Sequence, residues 1–283
     1  MGSKFYLENE YSSQIDLQDD ENYCIATDVS GLGVEFDAEY IGIGDHFVRN
    51  YLNPKQTSLS LNLNFFLPDV YDKLQTVSNF LLTASSLYLV YKPDLTSGIE
   101  YRREVDITSY LKNGVKDGYL CYTLTLAPTS LFYYKKSTRF EITALDGEKR
   151  YDFTWDAAYN DYSNRSLVIS GSNHVEVAFA LEINGYTENP MIEILDGDDV
   201  LYSLTFPLTL QEGEKILYSS LDQNLYVMYQ DADGNTTNLF NEFDLETNVF
   251  FKIPKTGATV RFTSDTDVMN TIVFTAYFFF KVV

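Results

Sequence analysis

From Leu59 the apolar positions Leu59, Leu61, Leu63 and Phe65 alternate with Ser60, Asn62 and Asn64. That period of two places one face of an extended chain against a core and the other toward solvent, which predicts a half-buried strand. The period then changes. Between Pro68 and Thr83 the apolar residues Val70, Leu74, Val77 and Leu81 fall three or four apart, so the segment reads as one amphipathic helix with Pro68 and Asp69 as its initiating residues. Strand character returns at Leu87 to Tyr91, which Pro93 ends, and at Leu120, Tyr122, Leu124 and Leu126, which alternate with Cys121, Thr123 and Thr125.

Beyond about residue 140 the pattern predicts strands only. Val175, Val177, Phe179, Leu181 and Ile183 share one face, and Ile192 to Leu195, Leu201 to Phe206, Leu225 to Tyr229, Val249 to Ile253 and Val273 to Phe280 follow. Asp196-Gly197-Asp198-Asp199 and Asp231-Ala232-Asp233-Gly234-Asn235 supply the Asp, Gly and Asn chemistry of tight turns between them. Short strands at regular spacing predict a β-sandwich. The alternation lapses between Ser137 and Gly147, which places a domain boundary there. The expected organisation is mainly β, with an N-terminal domain over 1–138 carrying one flanking helix and an all-β domain over 139–283.

Composition narrows the possibilities. Of 283 residues, 16 % are aromatic, with 23 Tyr and 20 Phe against one Trp, a usage that favours strands. The formal net charge is −21, most of the excess acid lying beyond residue 140, which argues against binding a phosphate backbone or an anionic membrane. The opening Met1 to Ser13 has acidic residues where a secretory signal would be apolar, so none is read there. The apolar stretch Thr271 to Val283 is too short to span a bilayer and is expected to be a buried terminal strand. Cys24 and Cys121 have no neighbouring Cys or His at ligand spacing and are expected as reduced core thiols.

Candidate chemistry is sparse. His46, in the turn Gly42-Ile43-Gly44-Asp45-His46, and His174, at the start of a strand, each stand apart from any nucleophile motif. The pairs Gly31 with Gly33 and Gly42 with Gly44 lack the third glycine of a dinucleotide fingerprint, because Phe36 and Phe47 occupy that position, and turns needing positive φ account for them. Asp231, Asp233, Asn235 and Glu242 fall at positions one, three, five and twelve of a calcium loop, but the required glycine is displaced to Gly234, so a hairpin turn is the better reading. No metal or cofactor is expected. Tyr151, Trp155, Tyr159 and Tyr162 cluster outside a clear strand and are the candidates for saccharide or partner contact.

The first half resembles a known family. Lys4 to Glu10, then Gly31-Leu32-Gly33-Val34-Glu35-Phe36, Phe47-Val48-Arg49-Asn50 and the strand Leu59 to Phe66 resemble the N-terminal domain of siphophage distal tail proteins. Ser85 to Pro93, Tyr101 to Ile107 and Ala127 to Tyr133 continue the resemblance in order over about the first 140 residues. It implies a structural, non-enzymatic hub in the virion, built in the host bacterial cytoplasm. Six copies would close into a homohexameric ring, with a C-terminal galectin-like β-sandwich outward. The tail tube protein would lie above and a tail-associated lysin or tip protein below, with receptor-binding proteins at the periphery and DNA passing through without specific binding. No family catalytic residue is carried over. A carbohydrate-binding module for host-wall attachment is the alternative from a different class.

Overall fold

The alternation at Leu59 to Phe65 is a strand whose four apolar side chains are all buried. It sits in a computed structural model of the chain, which describes residues 4–93, 98–116, 118–141, 165–171, 174–244, 246–266 and 271–281. The chain divides into two compact units, Met1–Tyr134 with Phe279–Val283, and Lys135–Phe278. All strand pairings given below are antiparallel.

In the first unit the elements are β1 (Lys4–Asn9), β2 (Gln14–Asp16), β3 (Ile25–Ser30), β4 (Glu35–Ile43), β5 (His46–Lys55), β6 (Leu59–Phe65), α1 (Val70–Thr83), β7 (Leu87–Lys92), β8 (Tyr101–Lys116), β9 (Tyr119–Pro128) and β10 (Phe132–Glu141), the last continuing into the second unit. β2 pairs with β1, β1 with β7, and β7 with the first part of β8. The rest of β8 pairs with β9, β9 with β6, and β6 with β3. The 16-residue β8 thus serves both halves of the sandwich, and its register shifts after Ile107 and after Lys112 let it turn from one to the other. A bridge between Gln18 and Ile25 links the two ends of this path. Phe5 and Leu7 of β1, Leu87 and Leu89 of β7, Leu61 and Leu63 of β6 and Leu124 and Leu126 of β9 meet in one core.

The helix lies where its periodicity predicts, with Val77 and Leu81 buried and Val70 and Leu74 packed beside the same core. Its start differs from expectation. Asp69 holds a left-handed conformation (φ 62°) and makes no side-chain cap. What anchors the first turn is Lys73, a buried cation whose Nζ donates to the carbonyls of Asp20 (2.5 Å) and Phe66 (3.4 Å). Such a site tolerates an ammonium because backbone oxygens replace its water.

The second unit contains β11 (Arg165–Ser170), β12 (Ala178–Asn184), β13 (Thr187–Glu188), β14 (Met191–Asp196), β15 (Asp199–Thr205), β16 (Thr209–Leu210), β17 (Lys215–Leu221), β18 (Asn224–Gln230), β19 (Thr236–Asn238), β20 (Gly257–Thr263) and most of β21 (Thr271–Phe280). One sheet runs β11-β20-β14-β15, a second series pairs as β21-β12-β17-β18-β19, and β13 pairs with β16. Phe262 of β20 meets Phe274 of β21 edge-on at 5.8 Å, and Phe274 stacks on Phe179 of β12 at 5.2 Å, so aromatic rings join the two layers. The terminal apolar stretch is a strand, with Ile272, Phe274, Ala276 and Phe278 buried.

Three expectations need correction. Val249 to Ile253 is not a strand: Val249, Phe251 and Ile253 are buried in alternation, but Ile253 alone bridges, to Val177. The carbonyl of Val249 is taken instead by the hydroxyl of Tyr218 at 3.1 Å, which satisfies the backbone outside a ladder. Cys121 is only half-buried, while Cys24 lies in the core, where desolvation pushes its thiol up to about 12. Of the four paired glycines, Gly31 and Gly44 take positive φ, whereas Gly33 and Gly42 do not.

Candidate assembly surface

Alternation also runs from Glu35 to Tyr40, but here it faces no core among the described residues. β4 and β5 pair with each other and, among the described residues, belong to no larger sheet. Gly44, at φ +63°, supports the turn between them. Cross-strand partners share a face, so the register Phe36↔Pro54, Ala38↔Leu52, Tyr40↔Arg49 and Gly42↔Phe47 defines one side of the arm. That side is apolar from base to tip except for Arg49. The other side carries Glu35↔Lys55, Asp37↔Asn53 and Glu39↔Tyr51 near the base and Ile41↔Val48 near the tip.

The polar side satisfies itself. Lys55 lies 3.7 Å from Glu35, the Tyr51 hydroxyl lies 3.4 Å from a carboxylate oxygen of Asp37, and the amide of Asn50 donates to Glu39 at 2.7 Å. Asn50 is the extra residue of a bulge, since the register shifts between Glu39 and Tyr40. The apolar side has no such cover. Phe47 is 80 % exposed, Tyr40 58 % and Phe36 43 %. Burying one side chain of that size is worth roughly 1.5–3 kcal/mol, and a two-stranded hairpin is marginal alone. An arm of this kind gains most of its stability from a surface that covers its stripe.

A second uncovered apolar feature lies in the same unit. Leu67, Tyr71 and Val115 line a cleft of about 440 Å³ between the start of α1 and the β8–β9 turn, and each is more than two-thirds exposed.

The residues singled out from sequence are dispersed. His46 is exposed at the arm tip, 3.4 Å from Asp45, and His174 is exposed ahead of β12. Asp231 closes the β18–β19 turn, its carboxylate accepting from the amides of Asp233 (3.0 Å) and Asn235 (2.8 Å) and from the Asn235 side chain (2.9 Å). Those bonds, the Asn235 side chain first, hold its carboxyl below the usual range. Among the described residues no three His, Cys, Asp or Glu side chains converge as a metal site, and no helix is long and apolar enough to cross a membrane. Tyr151, Trp155, Tyr159 and Tyr162 lie outside the described residues. The arm itself was missed by periodicity, although Phe36, Ala38 and Tyr40 alternating with Glu35, Asp37 and Glu39 ahead of Gly42 to Gly44 carried the signal.

Residues 4–129 match the family model described as distal tail protein, N-terminal domain. The first unit is a distal tail protein domain. No curated protein matches the chain by sequence. Among solved structures, likeness of fold extends beyond the first unit. A chain of the phage p2 baseplate in its activated conformation with calcium matches at TM-score 0.68 and 14 % identity, covering all of both chains, and its strontium counterpart matches equally. The SPP1 Dit protein, described as a paradigm of hub adsorption apparatus in phages infecting Gram-positive hosts, matches at TM-score 0.59 and 14 % identity over 97 % of this chain and 99 % of that one. At such identity these likenesses speak for the fold, and the family match assigns the domain. The chain is accordingly β-rich throughout its described residues, with a distal tail protein domain as its first unit.

Proposed function

We propose that this chain is a structural hub at the distal end of a phage tail, that six copies close into a ring through the first unit, and that it performs no catalysis. The observation that carries the reading is the stripe Phe36, Leu52, Tyr40 and Phe47 on an arm that the described residues leave uncovered. A surface of that chemistry suits burial by another copy, and a closed ring leaves neither the arm nor its counterpart unsatisfied. In the virion the ring would join the tail tube protein to a tail-associated lysin or tip protein, with receptor-binding proteins at the periphery. The second unit would be a galectin-like support. The net charge of −21 suits a conduit through which DNA slides without sticking.

Solution mass tests this. Across a concentration series, light scattering is expected to find a species near six times 32.4 kDa, and Phe47→Ser with Tyr40→Ser to shift it toward monomer. A folded chain that stays monomeric throughout would overturn the ring.

A further inference from the structure

The arm and the cleft are different surfaces of one unit, and their chemistries match. We infer that the apolar face of the β4–β5 arm of one copy seats its tip in the cleft between α1 and the β8–β9 turn of the next, with Arg49 against Asp72. This rests on the ring reading and names the contact that would close it.

Three observations carry the pairing. The arm tip is a knob, with Phe47 and Tyr40 on the stripe and Ile43 on the opposite face, all more than half exposed. The cleft is a socket with apolar walls at Leu67, Tyr71 and Val115. Contact between two unlike surfaces is head-to-tail, the kind that generates a ring, where a patch meeting its own copy would stop at a dimer.

Charge selects a second copy in particular. Lys55 and His46 each face a carboxylate on the arm, but Arg49 makes no ion pair among the described residues. It stands on the apolar stripe, opposite Tyr40. The exposed carboxylates of Asp69 and Asp72 lie at the cleft, and neither makes an ion pair among the described residues. Copies of net charge −21 repel one another, so an association between them needs local complementarity. The cation on the knob and the acids at the socket supply it.

The test uses the full chain with Cys121→Ser, leaving Cys24 buried. One preparation carries Phe47→Cys and another Tyr71→Cys. Mixed and mildly oxidised, they are expected to give a disulfide-linked dimer that neither gives alone. In parallel, Arg49→Glu is expected to weaken self-association about tenfold by sedimentation, and Asp72→Lys in the same chain to restore it. Asp69 is left in place because its backbone is left-handed. A ring of wild-type mass without the mixed disulfide and without charge rescue would overturn this contact while the ring reading stands. A folded chain that never associates would overturn both.

Discussion

Glu8 and Arg102 form an ion pair inside the first unit, joining β1 to β8 across the intervening β7. The Glu8 carboxylate is buried and also accepts from the side-chain amide of Gln14 at 2.5 Å. Removing one member of such a pair leaves the other charge desolvated without compensation, a loss of roughly 3–5 kcal/mol. Arg102→Ala is therefore expected to lower stability by about 3 kcal/mol, discounted because Arg102 keeps partial contact with water. Glu8→Leu combined with Arg102→Met should recover most of it. Denaturant unfolding measures both, and a double variant no better than the single would show that the pair holds the register of the sheet.

Gly31 and Gly33 belong to one motif but answer to different constraints. Gly31 sits at φ +86°, and a Cβ there would lie 2.1 Å from the carbonyl oxygen of Ser58. At Gly33 a Cβ meets nothing within 4 Å. Gly31→Ala should cost more than ~2 kcal/mol, from backbone strain and displacement of the segment leading into β6, whereas Gly33→Ala should stay within about 0.5 kcal/mol. Equal melting temperatures for the two variants would refute the assignment.

Acid should loosen the junction after α1. The Glu10 carboxylate accepts from the backbone amides of Ser85 and Ser86 at 3.2 and 3.3 Å. Its own backbone amide, then the Ser85 hydroxyl, hold its carboxyl down to about 2, against 4.5 for an unperturbed Glu. A carboxyl depressed in the folded state contributes stability above pH 4.5, and the contribution fades as pH falls toward 2. Glu10→Gln should flatten the stability profile between those limits. The check is thermal unfolding of both proteins across that range. Parallel curves would mean that other carboxylates govern acid unfolding.

How much of this was legible depends on what each residue faces. Leu59 to Phe65 and the helix announced themselves because their neighbours in sequence fall on opposite sides of one boundary, core against solvent. β17 was missed because Ser219 and Ser220 are both buried, which interrupts the alternation. Ser220 is satisfied only through space, donating to the Phe179 carbonyl and accepting from its amide. Lys73 reads as a surface residue of its helix until two distant carbonyls converge on it. The arm is the instructive case. From Glu35 to Tyr40 its alternation is as regular as that of β6, and sequence alone does not say whether an apolar face meets its own core or another molecule.

Since β4 and β5 pair only with each other among the described residues, no larger sheet there protects the arm's amides, while those of β6 lie between β3 and β9. Local opening follows the density of buried contacts, so hydrogen exchange at high dilution should find Tyr40, Ile41, Val48 and Arg49 exchanging far faster than Leu61 and Leu63. Raising the concentration into the range of assembly should slow exchange in the arm by about a hundredfold or more, because covering the stripe adds roughly 3 kcal/mol even if only two of its large side chains are buried. β6, already protected at the level of global unfolding, should change less. Protection of the arm that is strong and independent of concentration would mean that the hairpin is stable by itself, and the exposed stripe would lose its standing as the surface on which copies meet.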